Sequence, residues 1–487
     1  MKAWEELVIG VVASHPGWTR VLSQLGIPFR EGDPSSAPII ALDGWPDGEV
    51  LRALEEGAVV LAAGVEDEGL LGPGVLSVVT RFHASEDGEP VSAPTLAWLY
   101  EGPGWGVVRR HEDRLVKGTH EPGVHALIHE RRVGSGTLIA TGVPLTKLLG
   151  AVGDRLRPIT VDHPVTERVA SVDTAGVEEL LRAMVKRGVE AAGLPMVHLA
   201  AFPEGAPSVL IVRVDVDGDA QGRLAEIIRV ADGCDLPLSI FLNGALTQDD
   251  PIPEIGPRHE VGQHGWEHNV FDTVEENRHN LRAGAAWVEK VTGRTVRSFV
   301  GPRGLWNVSL DRAMSDLGYR YGSEFGLAVD GLPFRTPAGV LQIPVHPYSP
   351  ERAVTHAIET HTPPPSDESI RVHYLSTLRR HIARGRPVHV YGHPTRLGDA
   401  AATVLPDLAA GARRRGVPAL TLGTFAAWWE RRARAGLRVH VQRRSGEVDV
   451  RFAGERLPLH GDVRVAARIR STASAVSVAA AATAPEG

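Results

Sequence analysis

Two stretches of the chain alternate short apolar runs with amphipathic segments, and this restricts the fold: strands joined by helices are parallel and covered on both faces. In the first stretch, residues 7–12 (LVIGVV), 37–42 and 58–63 read as strands, and 19–25 and 49–56 as helices closed by Gly26 and Gly57. A glycine-led strand over 134–141 and a segment over 144–149 complete it. The second stretch has a strand over 209–214, a helix over 223–231, a strand over 238–242 and a helix over 274–291 ended by Thr292-Gly293. Repeated units over 206–435 suit a barrel or open α/β sheet, whose reactive residues sit at the C-terminal strand ends. A helical linker is expected over 161–205. Strict alternation over 437–443, 448–452 and 463–469, with a Ser445-Gly446 turn, predicts a small antiparallel β domain over 436–470. The Ala/Ser-rich tail, 471–487, reads as disordered, and Arg431, Arg432 and Arg434 as a solvated helix face.

The layout over 1–160 is similar to flavodoxin-like or glutamine-amidotransferase-like α/β domains. A glutaminase needs a thiol nucleophile, and the only cysteine among the 487 residues is Cys234, so an accessory role is expected for this domain. That single cysteine also excludes internal disulfides and Cys-rich zinc sites, leaving metal binding to carboxylates and the 21 histidines. With 52 Lys+Arg against 59 Asp+Glu and a net charge of -7, no basic stripe offers a nucleic-acid footprint. The N-terminus lacks the features of a secretory signal, and no apolar run approaches the roughly 20 residues of a spanning helix. A soluble, cytoplasmic protein with no membrane partner is expected, its oligomeric state left open.

Three histidine pairs are spaced by four: His125/His129, His264/His268 and His389/His393. The first has no acidic strand end in its own domain and reads as packed. The second follows a break from apolar to polar sequence, where one helical turn would put both imidazoles on one face. Upstream, an apolar strand ends in Asp215, Asp217 and Asp219. Carboxylates crowded at a strand end repel one another, and burying them without a cation costs several kcal/mol. A divalent metal resolves the conflict, and two His with one Asp is the ligand set of an open catalytic zinc.

The segments RVDVDGD, HEVGQHGWEHN, SFVGPRGLWN, LQIPVHP and VHVYGHP, in that order, resemble the NodB-type polysaccharide deacetylases, carbohydrate esterase family four, over about 205–430 and neither flank. The resemblance implies a distorted (β/α) barrel with Asp215 as catalytic base, Asp217, His264 and His268 as ligands, and His393 as general acid. The frame Asp217/Asp219 stays open, and His389 reads as a packed strand residue. Val300 stands where the family has the arginine that orients the base, and Arg303 is expected to reach in from nearby. The family's Asp-x-Trp is replaced over 321–325 by YGSEF. Pro302, Trp306 and Glu324 are the expected substrate contacts. Trp266, Trp306, Phe325 and Tyr348 lie near the motifs as sugar-stacking or core aromatics.

These residues suit removal of an acetyl group from an N-acetylated sugar with zinc as the expected metal, the cation acidifying water and polarising the acyl oxygen. A carboxylate takes the water's proton, and a histidine protonates the leaving amine. Two alternatives stand beside it: allantoinase-like or formamide C–N hydrolysis on the same fold, and a non-catalytic carbohydrate-binding module.

Overall fold

The computed structural model of the chain describes residues 5–12, 15–32, 37–83, 90–101, 103–109, 124–159, 165–218, 222–442, 447–461 and 478–479. They form two compact units, each assembled from separated pieces of chain: Met1–Ala151 with Ser171–Gly205 and Arg431–Gly487, and Val152–Ala170 with Ala206–Glu430. No helix among the described residues is long and apolar enough to cross a membrane.

The first unit is built on a mixed sheet. Phe29–Gly32, Ile9–Val12, Ile39–Asp43, Val59–Ala63 and Gly136–Thr141 run parallel in that spatial order. Their apolar runs bury Ile40, Leu42, Val60 and Leu138 against Leu54 of the helix Gly48–Glu56, which Asp47 caps by accepting from the amides of Glu49 and Val50. The sheet continues through the antiparallel strands Val124–Val133, Gly104–Arg109, Gly74–His83 and Pro90–Tyr100. These four antiparallel strands are not part of the flavodoxin-like layout expected for 1–160.

The stretch 161–205 is no linker: its helix Thr174–Ala191 buries Leu180, Leu181, Met184 and Val185 within the first unit. Its fully buried Glu178 meets Arg20 at 2.6 Å. The segment after 436 does not stand alone either. Its hairpin Leu437–Gln442/Glu447–Phe452 pairs with Glu5–Glu6, and Leu459–Gly461 pairs with Val197–Leu199. The expected turn at Ser445-Gly446, the strand over 463–469 and all of the tail except Val478–Ala479 lie outside the described residues. Arg432 is 3% exposed rather than solvated, and its guanidinium donates to the carbonyls of Ala200, Ser23 and Gln24. A delocalised cation with a fork of donors satisfies several carbonyls at once.

The central unit is an α/β sheet of eight strands, β1 (Leu210–Val216), β2 (Leu238–Leu242), β3 (Glu260–Gln263), β4 (Ser298–Phe299), β5 (Tyr321–Gly322), β6 (Phe334–Arg335), β7 (Leu341–Gln342) and β8 (Val388–Gly392). Their spatial order is β6-β7-β5-β4-β3-β2-β1-β8, all parallel except β6 against β7. The hydrogen-bonded ladder is open, but the His346 amide, just beyond β7, donates to the His389 carbonyl of β8 at 2.9 Å, so the chain curls round to its far edge. The period of two decides what faces where. Leu210, Val212, Val214 and Val216 of β1, with Val388 and Val390 of β8, bury one face against Leu224, Ile227, Leu397 and Val404 of the flanking helices. Each such side chain contributes about 1.5–3 kcal/mol. The opposite face carries Arg213 and Asp215 on β1 and His389 and Tyr391 on β8, with Arg213 and Tyr391 in register.

Candidate active site

β1 is buried throughout and polar on one face, so its charged residues need partners inside the fold. Asp215 is 2% exposed, and its Oδ2 accepts from Arg213 Nη2 at 2.8 Å. Arg213 also donates to the Ser323 carbonyl at 2.7 Å and lies 4.6 Å over the Tyr391 ring. The guanidinium expected from Arg303 is thus Arg213's. Arg303 is exposed on a short turn at φ 58, and Val300 is buried. Arg213 stands two residues before Asp215, and strand periodicity puts both on one face; that was the available signal.

Asp217 follows β1 and meets both expected histidines: Oδ1 lies 3.3 Å from His264 Nε2, and Oδ2 lies 3.1 Å from His268 Nε2. One ligand atom from each of the three lies within 4.8 Å of the others. His264 leaves the end of β3 with Nδ1 2.7 Å from the Val300 carbonyl. A carbonyl only accepts, so Nδ1 carries the hydrogen and the lone pair of the neutral ring is on Nε2, facing Asp217. Burial lowers the pKa of His264 and keeps the ring neutral. Asp217 Oδ1 and His268 Nε2 are buried without completing a hydrogen bond. A divalent cation takes such atoms as ligands, and the residues fit one. Asp219 lies outside the described residues.

The segment between the histidines is bent, not the helical turn the spacing suggested. Gly265 adopts φ 83, where a Cβ would meet the Glu267 carbonyl at 2.7 Å. Asn280, 4% exposed on the helix Val274–Thr292, holds the bend by accepting from the Glu267 amide at 2.7 Å and donating to the Glu267 and Asn269 carbonyls. A polar side chain on the buried face of that helix was its only trace in the sequence.

His393 follows β8 and places Nε2 3.4 Å from Asp217 Oδ2. Its Nδ1 is 3.2 Å from Glu351, which the sequence reading missed and which also accepts from the Arg396 and Leu397 amides. Burial opposes charge on His393, but Asp217 and Glu351 outweigh it and raise its pKa well above the ordinary imidazole value. His389 is packed as expected, with Nδ1 3.0 Å from the Pro344 carbonyl. His129 is packed too, 1% exposed and edge-on to Tyr100.

The expected substrate contacts separate. Pro302 and Glu324 are buried, and burial pushes the Glu324 carboxyl up to about 8, with Arg213 pulling the other way. Trp306 and Trp266 are half-buried, whereas Phe325 and Tyr348 are core residues. A cavity of roughly 540 Å³ in the first unit, bordered by Arg30 and Arg132, contains none of these residues.

Residues 211–322 match the family model described as polysaccharide deacetylase. No curated protein matches the chain. Among solved structures, a Mycobacterium smegmatis protein named by inference as a polysaccharide deacetylase is 17% identical, with 48% of this chain and 93% of that one covered at TM-score 0.43. An allantoinase is 16% identical, with 48% and 93% covered at TM-score 0.39. A CE4 family pseudoenzyme from Bacillus anthracis is 18% identical, with 45% and 65% covered at TM-score 0.31. The match over residues 211–322 falls within the stretch whose motifs resemble that family, and it covers neither the first unit nor the C-terminal segment.

Proposed function

We propose that the central unit is a divalent-metal deacetylase acting on an N-acetylated sugar, with Asp217, His264 and His268 as ligands and zinc as the metal suited to two imidazoles and a carboxylate. The observation that carries the reading is the convergence of these three donors, with Asp217 Oδ1 and His268 Nε2 unpartnered, beside Asp215 and His393. A divalent cation supplies an acidified water and polarises the acyl oxygen. Asp215, oriented by Arg213, takes the proton from the attacking water. His393, held by Glu351, gives a proton to the departing nitrogen, which leaves very poorly as an anion. Trp266 and Trp306 are the aromatics available for a sugar face. Arg213 supports the catalytic reading over the non-catalytic one, because its guanidinium bonds Asp215 although position 300 carries no arginine. In the first unit an accessory α/β role is proposed.

Acetate release from N-acetylglucosamine oligomers is expected to stop on chelation and to return with zinc or cobalt. Release indifferent to chelation, or no release from zinc-loaded protein, overturns the reading; hydrolysis of allantoin instead supports the related C–N hydrolase. Glu351→Gln is expected to lower kcat by about tenfold to a hundredfold, as loss of an orienting partner does. Without that carboxylate the His393 pKa falls, the protonated acid is lost sooner, and the alkaline limb of the pH–rate profile moves to lower pH. An unmoved limb would take Glu351 out of the reaction.

A further inference from the structure

LQIPVHP supplies more than a strand. Beyond β7, His346 runs beside the outer edge of β8, while the bridge Val329–Val345 brings Asp330 alongside, at φ 58. The helix Asp367–Ala383 carries His373 and His381, the latter 1% exposed. Three segments thus meet at one buried cluster outside the proposed catalytic set. Asp330 Oδ1 lies 2.9 Å from His346 Nδ1 and 3.5 Å from His381 Nε2, and one ligand atom from each lies within 4.8 Å of the others.

The tautomer at His381 is fixed as it is at His264. Its Nδ1 is 2.7 Å from the Pro387 carbonyl and must carry the hydrogen. The lone pair of the neutral ring is then on Nε2, which is buried, has no hydrogen-bond partner and faces a carboxylate oxygen. Burial holds the ring neutral, pushing its pKa down to about 3 against the pull of Asp330. Two lone pairs face each other there, and a cation between them removes the repulsion. Arg386 adds positive charge nearby but does not bond His381 Nε2. His346 has the outer support that metal-ligating histidines use: its Nε2 is 3.0 Å from His373 Nε2, and the His373 ring packs 3.9 Å from Tyr348.

We infer that Asp330, His346 and His381 form a second divalent-metal site, of zinc type by its two imidazoles and one carboxylate, tying together the segment at 328–330, the stretch beyond β7 and the helix Asp367–Ala383. The Asp330 side chain, 18% exposed, gives the ion its way in. The site stands on its own donors and needs no catalysis at Asp217.

Metal content of the full chain, purified without chelator, tests it. Wild type is expected to hold about two zinc ions per chain, His381→Gln and Asp217→Asn about one each, and the double variant none. Cobalt(II)-loaded Asp217→Asn is expected to show a visible d–d band that His346→Gln or His381→Gln removes. About one zinc in wild type and none in Asp217→Asn, with no band at excess cobalt, overturns the second site and leaves the first. One zinc that survives Asp217→Asn and is lost with His381→Gln supports the second site and overturns the proposed catalytic one. If the His381 variant does not fold, zinc-dependent thermal stabilisation of Asp217→Asn decides: a rise in Tm supports the site, and no rise together with no cobalt band overturns it.

Discussion

Asp215→Asn is expected to lower kcat for acetate release by about 10²- to 10⁴-fold while leaving metal content and thermal stability near wild type. The carboxylate is 2% exposed, with Oδ2 held by Arg213 and Oδ1 buried without a partner. Asparagine has nearly the same shape and keeps an oxygen for the guanidinium, but it is a far weaker base. Asp217→Asn is the comparison: one of three ligands is weakened, so zinc and activity should fall together. Kinetics and metal analysis on the same preparations separate the two. Full activity with Asp215→Asn would move the base to another residue.

Arg213→Gln is expected to cost about 3–5 kcal/mol in stability, the range for removing one partner of a buried pair, and to reduce activity as well. The guanidinium is 1% exposed, bonded to Asp215 and to the Ser323 carbonyl, and close enough to draw the Glu324 carboxyl downward against burial. Without it Asp215 and Glu324 remain buried without their cation. Lysine restores the charge but not the fork, so Arg213→Lys should fold better than the glutamine variant and stay impaired in kcat. Arg303→Ala, in contrast, should stay within about 0.5 kcal/mol of wild type, because the side chain is exposed. Chemical denaturation of the three variants checks the order, and equal losses for Arg213→Gln and Arg303→Ala would reject it.

The longer buried parallel strands of both units were legible because a strand buried on both faces must be continuously apolar, as in VVLAA over Val59–Ala63, whereas the largely exposed Phe29–Gly32 and the two-residue strands Ser298–Phe299, Tyr321–Gly322 and Leu341–Gln342 were not. The antiparallel half of the first sheet was not. Leu76, Val78 and Leu96 are exposed apolar residues on its strands and blur the alternation that marks such elements. The helix Thr174–Ala191 was legible as a helix, but its place in the first unit was not, since an amphipathic stripe says that one face is buried and not against what.

The sequence by itself determined the candidate donors: a strand ending in spaced aspartates, two histidines four apart, and a histidine after a later apolar strand. Local rules suffice there, because strand period and residue chemistry act over a few positions. Tertiary structure alone decided their partners. Val300 gives the carbonyl that fixes His264, Asn280 pins the bend at Gly265, Glu351 holds His393, and Asp330 meets His346 and His381. Such contacts depend on how far the sheet curls and on the course of the loops between strands, and no periodicity in the chain encodes either.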